Sequence, residues 1–202
     1  MDISCIILAG GKSTRLGHDK VLEKFGNTRL LEQVISRTDP LSKEIIIVTA
    51  KERTFTQLAS HPKVKIVSDI LPGQGSLGGI YTGLVKSDSF YNLVVAADMP
   101  FLNVPLLQNM IKMADGYDFV LPRVNGLFEP LHAIYSRNCI QPIESILNQG
   151  KKVIIELFNY VKVRYIEADE VDRFDPQHLS FFNINTREEL EMAKKIAAGA
   201  AE

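Results

Sequence analysis

Short runs of apolar, mostly β-branched residues alternate along this chain with segments in which apolar residues recur every three or four positions. The short runs predict buried strands, and the longer spacing predicts amphipathic helices. We predict strands at 3–8, 44–50, 64–68, 91–97 and 117–121. Helices are predicted between them, at 29–38, at 52–60, from the glycine-rich segment 72–79 to about 87, and from 103 or 105 to about 115. This alternation is typical of an α/β fold, with a mostly parallel sheet covered by helices on both faces.

The pattern is less regular after Pro122. We predict a strand at 127–135, helices at 141–148 and 152–159, and a late strand at 162–166. The last helix has a clearer start, because Thr186 is followed three residues later by Glu189, as in the Ser/Thr-x-x-Glu capping box. We expect this helix to run to about Ala198.

Composition limits the classes of partner. The 202 residues are 46% hydrophobic and carry a formal net charge of -1, which fits one globular domain over 1–202. The balanced charge argues against nucleic-acid or membrane binding, which usually needs an excess of Lys and Arg. Cys5 and Cys139 are expected to be reduced core residues. The sequence shows neither a signal segment nor a long apolar run, so we expect a cytoplasmic protein.

The loop after the first predicted strand suits an anionic ligand. Its sequence is Leu8-Ala9-Gly10-Gly11-Lys12-Ser13-Thr14-Arg15-Leu16-Gly17-His18-Asp19-Lys20. Glycine lets backbone N–H groups approach a phosphate, and the cations supply neutralising charge. A Walker P-loop is disfavoured, because that pattern needs glycine where Ile6 stands. We therefore predict a phosphate-binding loop of another kind.

Two acids follow predicted strands at the same edge of the sheet, where ligands of open α/β folds bind. Asp98 is well placed to hold Mg²⁺, which prefers carboxylate and phosphate oxygens. The alternative is that Asp98 caps the next helix or forms an Asx-turn with the help of Pro100. Asp69 is an equally good candidate for a ligand contact and for a turn residue.

Other polar features have competing interpretations. Gly73 to Gly78 matches G-x-G-x-x-G, but the match does not directly follow its strand, so a tight helix entry that contacts a ligand through Gly75 and Gly78 is favoured over a dinucleotide site. Asn183 and Asn185 share a face of an extended segment and suit either a substrate contact or turn and cap chemistry. His132 is predicted to be a core histidine.

Four segments, in chain order, resemble the signatures of the molybdenum cofactor guanylyltransferases, a family of molybdopterin nucleotidyltransferases. They are Leu8-Ala9-Gly10-Gly11-x-Ser13-x-Arg15-x-Gly17-x-Asp19-Lys20, Asp98-Met99-Pro100-Phe101, Glu129-Pro130-Leu131-His132-Ala133-Ile134-Tyr135 and Phe182-Asn183-Ile184-Asn185-Thr186. Together they span almost the whole chain. The opening signature is shared by the wider nucleotidyltransferase superfamily, and its Ala-Gly-Gly differs from the Ala-Ala-Gly of relatives that use CTP.

The resemblance implies a Rossmann-like three-layer α/β/α enzyme that transfers GMP from GTP to molybdopterin and releases pyrophosphate. The implied roles are GTP contacts by Leu8, Ala9, Gly10, Gly11 and Asp69, phosphate neutralisation by Arg15 and Lys20, magnesium binding by Asp98, and pterin proximity for Asn183 and Asn185. A molybdenum-insertion protein and a molybdoenzyme are candidate protein partners.

Two departures from the family pattern stand out. Ser76 and Gly78 replace the proline and alanine of Gly-Pro-Leu-Ala-Gly, and the family's asparagine contact has no evident counterpart near 49–51. Two other functions therefore stay open. The chain could be a related nucleotidyltransferase that uses CTP or another phosphorylated substrate, or a non-catalytic nucleotide-binding protein on the same fold.

Overall fold

A computed structural model describes residues 2–10, 23–50, 55, 58 and 61–199 of the chain. Among these residues, eight strands form one sheet. The strands of the sheet are β1 (Ile3–Leu8), β4 (Glu44–Thr49), β5 (Val64–Ser68), β6 (Tyr91–Ala96), β7 (Phe119–Val124), β8 (Leu127–Phe128), β9 (His132–Ser136) and β10 (Val163–Glu167). A separate hairpin joins β2 (Lys24–Phe25) and β3 (Thr28–Arg29).

The sheet is mostly parallel, as the sequence predicts. Its order is β10-β7-β9-β6-β1-β4-β5, with β8 paired to β7. Strands β1, β4, β5 and β6 are mutually parallel, and β9 runs antiparallel to both β6 and β7. The carboxyl ends of β1, β4, β5 and β6 therefore meet at one edge of the sheet, which we call the carboxyl edge.

Helices cover both faces and produce two cores. Their bounds are α1 (Leu30–Thr38), α2 (Gly75–Lys86), α3 (Val104–Lys112), α4 (Ile140–Asn148), α5 (Ala168–Asp172) and α6 (Arg187–Ala197). One core joins β1 to α1, α3 and α5, and the other joins β1 to α2 and α4. Because the central strands are covered on both sides, they read as continuous apolar runs, and the three-layer α/β/α architecture is confirmed.

The structure differs from the predicted elements in the carboxyl-terminal third. The strand predicted at 127–135 is two strands, β8 and β9, separated by a turn at 129–131. The helix predicted at 152–159 is a 3-10 helix, Ile154–Asn159, and the short α5 was not predicted. Most of the helix predicted at 52–60 lies outside the described residues.

The predicted capping box and the two buried cysteines are confirmed. Thr186 Oγ1 accepts from the N–H of Glu189 at 3.1 Å, and Glu189 Oε2 accepts from the N–H of Thr186 at 2.9 Å, which is the predicted capping box. Cys5 and Cys139 are free and buried, and burial raises the pKa of both thiols to about 12. In the ranges that the structure describes, no helix combines the length and apolar character needed to cross a membrane.

Candidate functional site

The carboxyl edge brings the opening loop next to Asp98. The N–H of Ala9 donates to the carbonyl of Val48 at 2.8 Å, and the N–H of Ala97 donates to the carbonyl of Leu8 at 3.1 Å. Leu8, Ala9 and Gly10 therefore lie between the ends of β4 and β6, one strand spacing of ~4.8 Å from each. The other predicted loop residues, Gly11, Arg15 and Lys20, lie outside the described residues.

Asp98 does not cap the following helix. The cap of α3 is Asn103, whose Oδ1 accepts from the N–H of Leu106 at 2.9 Å. Asp98 is half-buried two residues past the end of β6, and its neighbours Met99 and Leu102 are buried in the core. The helix-cap alternative is thus wrong, and the Asp98 loop is fixed at the carboxyl edge by its own apolar neighbours.

The segment with Asn183 and Asn185 lies beside this loop. The N–H of Ile184 donates to the carbonyl of Asp98 at 3.0 Å. Ile184 is fully buried against the hairpin residue Phe25 and against Leu30 and Leu190. Neighbouring residues in an extended segment alternate between its two faces. Asn183 and Asn185 therefore lie on the face away from this small apolar cluster around Ile184. The structure therefore brings the backbone of the segment with Asn183 and Asn185 to the Asp98 loop.

Turn chemistry is also present in this segment. Asn183 Nδ2 donates to the carbonyl of Phe181 at 2.9 Å, and the N–H of Asn185 donates to Glu189 Oε2 at 2.6 Å. The two interpretations left open by the sequence are therefore compatible. Local hydrogen bonds shape the segment, and its backbone contacts the Asp98 loop, so a substrate contact by the amides stays a prediction.

A buried polar network around Ser180 holds that segment in place. Ser180 Oγ accepts from the N–H of Asn103 at 2.8 Å and lies 2.8 Å from His132 Nε2, while the N–H of Ser180 donates to Asp175 Oδ2 at 2.7 Å. His132 lies on β9 and Asn103 lies at the start of α3, so the two residues flank the Asp98 loop. The serine hydroxyl thus ties the segment to both sides of the loop, which sequence analysis missed because these residues are far apart in the chain.

His132 is the predicted core histidine. It is fully buried, and burial lowers its pKa to about 4. The ring is therefore neutral near pH 7, so Nε2 is free to accept the hydroxyl proton of Ser180, whose oxygen already accepts from Asn103. The ring also packs edge-on against Phe181 at 4.9 Å between centroids. Nε2 and the ring edge thus have structural partners, whereas Nδ1 is buried without a hydrogen-bond partner among the described residues.

Asp69 has a turn role in the structure. Its Oδ1 accepts from the N–H of Leu71 at 2.9 Å and from Thr82 Oγ1 at 2.8 Å, which joins the end of β5 to α2. Asp69 and Asp98 follow strands that are three spacings apart in the sheet, or ~14 Å. The two carboxylates are too distant to share one metal ion.

The glycine-rich segment forms the predicted tight helix entry. Gly73 and Gly75 have φ values of +84° and +64°, which favour glycine. A Cβ added to Gly79 would stand 3.2 Å from Leu8 Cδ2, so the first turns of α2 lie over the end of β1. The positive end of this helix therefore faces the carboxyl edge, where it favours an anion.

The donor set suits magnesium better than a metal held by protein alone. Within the described ranges, there is no group of three or more His, Cys, Asp or Glu able to hold a metal ion. Magnesium is commonly bound by one or two carboxylates together with substrate phosphates and waters. One carboxylate, Asp98, beside a predicted phosphate loop fits that chemistry.

Comparisons with known proteins identify the family of this chain. Residues 5–164 match the family model for the MobA-like NTP transferase domain. The chain is 34% identical over 96% of its length to a protein of Peptoclostridium acidaminophilum named "Probable molybdenum cofactor guanylyltransferase", covering 89% of that protein. A Methanosarcina mazei protein of the same name is 36% identical over 93% of this chain and 88% of its own.

A solved structure extends the likeness to three dimensions. It is molybdopterin-guanine dinucleotide biosynthesis protein A from Archaeoglobus fulgidus, which is 27% identical, covers 97% of this chain and 99% of its own, and superposes with a TM-score of 0.83. The relatives and the solved structure agree over nearly the whole chain, and the family model agrees over residues 5–164. The chain belongs to the MobA-like NTP transferase family, among the molybdenum cofactor guanylyltransferases.

Proposed function

We propose that this chain transfers GMP from GTP to molybdopterin in a magnesium-dependent reaction. The observation that carries the proposal is the convergence of Leu8–Gly10, Asp98 and Asn183–Asn185 at the carboxyl edge, linked by the Ala97–Leu8 and Ile184–Asp98 hydrogen bonds. The named relatives supply the substrate class. The cytoplasmic location and a molybdenum-insertion or molybdoenzyme partner stay predictions.

The triphosphate lies over the opening loop in this proposal. Leu8, Ala9, Gly10 and Gly11 contact the nucleotide, Gly75 and Gly78 approach it from the start of α2, and Asp69 contacts it through the carboxylate oxygen not used in its turn. Arg15 and Lys20 neutralise the phosphates. Asp98 holds Mg²⁺, which when bound neutralises phosphate oxygens that gain charge during transfer.

The reaction needs positioning more than acid–base chemistry. An oxygen of the pterin's terminal phosphate forms a bond to the α-phosphorus of GTP, and the bond from that phosphorus to the bridging oxygen breaks, so pyrophosphate leaves with the electron pair. The attacking phosphate oxygen is already ionised near pH 7, so no residue of the chain is needed as a general base. Asn183 and Asn185 orient the pterin side, and the loop cations stabilise the charge that develops on the leaving group.

A panel of the four nucleoside triphosphates with molybdopterin tests the proposal through pyrophosphate release. We expect turnover with GTP and Mg²⁺, loss of turnover with a chelator, and a drop of at least ~100-fold in kcat for Asp98→Ala. Asp115→Ala, an exposed aspartate between α3 and β7 at the opposite edge, is the control and should behave as wild type.

Each component of the proposal has its own contrary result. Near-normal magnesium-dependent turnover by Asp98→Ala would remove the metal assignment. Preference for CTP would make the chain a related nucleotidyltransferase of different base specificity. Tight GTP binding with no transfer to molybdopterin would make it a non-catalytic nucleotide-binding protein.

A further inference from the structure

One side chain of the Glu129–Tyr135 signature stands apart from the others. His132 pairs with Ser180, Tyr135 OH donates to the carbonyl of Pro130 at 2.8 Å, and Ala133 and Ile134 are buried in the core. Within the part of the chain that the structure describes, the Glu129 carboxylate has neither a hydrogen bond nor an ion pair. Folding therefore explains the other side chains but leaves Glu129 without a structural role.

The backbone places Glu129 at the carboxyl edge. The N–H of Glu129 donates to the carbonyl of Pro122 at 3.1 Å, and its carbonyl accepts from the N–H of His132 at 3.1 Å. The N–H of Ala96 donates to the carbonyl of Leu131 at 3.2 Å. Since β9 runs antiparallel to β6, the turn at 129–131 passes the end of β6 just where Asp98 follows. The turn is held by hydrogen bonds on both sides.

The position of this turn separates it from the opening loop. β6 lies between β9 and β1 in the sheet, so Glu129 is on the side of Asp98 that faces away from Leu8–Gly10. The proposed triphosphate occupies the β1 side. In the proposed in-line transfer, the acceptor approaches the α-phosphorus opposite the leaving pyrophosphate, and an acceptor that reaches Asp98 from the β9 side passes the Glu129 turn.

The surroundings of Glu129 favour a ligand with N–H donors. Glu129 is half-buried, and burial raises the pKa of its carboxyl group. The cation at the end of the neighbouring strand, Arg123, is already bound to Glu167 at 3.0 Å and 2.5 Å. A partly desolvated carboxylate without a partner costs free energy, and two adjacent ligand N–H groups would offset that cost.

We propose that Glu129 binds the adjacent ring N–H and amino group of the pterin ring of the acceptor, and so helps to select it. This inference rests on the proposed function. A 2-amino-4-oxo-pyrimidine edge occurs both in the pterin and in the guanine of GTP, and its two parallel donors match one carboxylate. The location of Glu129 on the β9 side of Asp98 assigns it to the pterin.

The test is Glu129→Gln, which keeps the shape of the side chain but removes its charge and one acceptor. We expect the KM for molybdopterin to rise ~10- to 100-fold while the KM for GTP changes less than about twofold. Glu129→Asp, which keeps the charge on a shorter stem, should show an intermediate KM for molybdopterin. Glu144→Gln on the outer helix α4 is the control, with both constants unchanged. ITP, which lacks the 2-amino group, serves as an alternative donor in each protein.

The outcomes separate the two hypotheses. A raised KM for molybdopterin with an unchanged preference for GTP over ITP supports the pterin contact. A raised KM for GTP with loss of that preference shows that Glu129 reads guanine, which overturns the inference but leaves the proposed function intact. Unchanged constants for both substrates also overturn it. A wild-type protein that transfers no nucleotide contradicts the proposed function and the inference together.

Discussion

Gly83 shows how one missing methyl group sets the distance between a helix and the sheet. It lies inside α2 and is buried against β1, where an added Cβ would stand 2.4 Å from Ile6 Cγ2. In an open helix interior, glycine is less favourable than alanine by ~1 kcal/mol. The close approach of α2 to β1 reverses that preference, and the same approach brings the start of α2 over the end of β1.

Gly83→Ala should therefore destabilise the protein by ~1–3 kcal/mol, because either Ile6 or α2 has to move. Urea unfolding of the two proteins measures the difference. Combining the change with Ile6→Ala gives a double-mutant cycle, and the combined loss should be smaller than the sum because the vacated space takes the new methyl group. A gain in stability for Gly83→Ala alone would contradict the packing argument.

The departure of Gly78 from the family pattern has a similar local cause. An added Cβ would lie 2.8 Å from Gln74 Cβ and 3.0 Å from the carbonyl of Leu71. The backbone at the start of α2 therefore has no room for the alanine that the family often carries here. The role of Ser76 in place of proline has no explanation in the structure.

At the scale of elements, one hydroxyl connects the segment before α6 to the Asp98 loop. Ser180→Ala leaves the buried N–H of Asn103 without its acceptor and removes the partner of His132, so we expect ~1–3 kcal/mol lower stability. The freed segment should also hold Asn183 and Asn185 less well against Asp98. We therefore expect a lower kcat per folded molecule, with little change in the KM for GTP.

Ser136→Ala is the matched control for that prediction. Ser136 is as buried as Ser180, donates to Asp118 Oδ1 at 3.1 Å, and lies at the opposite edge of the sheet. Its loss should lower stability by a similar amount without changing kcat. Equal effects of the two changes on kcat would mean that Ser180 acts on stability alone.

Sequence patterns located the elements whose signals are local. The central strands were predictable because burial on both faces gives continuous apolar runs, and Asp98 was placed at the site because it follows such a run. The division of 127–135 was not predictable, because its turn is defined by hydrogen bonds to Pro122 and Ala96 on other strands. Ser180 was missed for the same reason, since its partners Asn103 and His132 lie 77 and 48 residues away.

The stability of the whole molecule should fall in mild acid because of His132. Its pKa is about 4 in the folded protein and 6.5 without burial, so the unfolded chain binds the proton more tightly. The contribution of His132 to the free energy of unfolding is therefore fully present above about pH 6.5 and is lost as the pH falls toward 4. Between about pH 7 and pH 5, this one residue should remove about 2 kcal/mol of unfolding free energy.

A variant at His132 separates this contribution from those of other titrating groups, and the buried carboxyl group of Glu44 acts below this pH window. Burial raises the pKa of Glu44, but hydrogen bonds from Lys65, Ser4 and Asp88 outweigh it and leave the pKa lowered, so its contribution is lost only as the pH falls below about 4.5. His132→Gln offers an amide oxygen to Ser180 without a titrating ring. Urea unfolding at both pH values should show that this variant loses about 2 kcal/mol less than wild type on acidification, whereas equal losses would mean that His132 can be protonated without leaving the folded core.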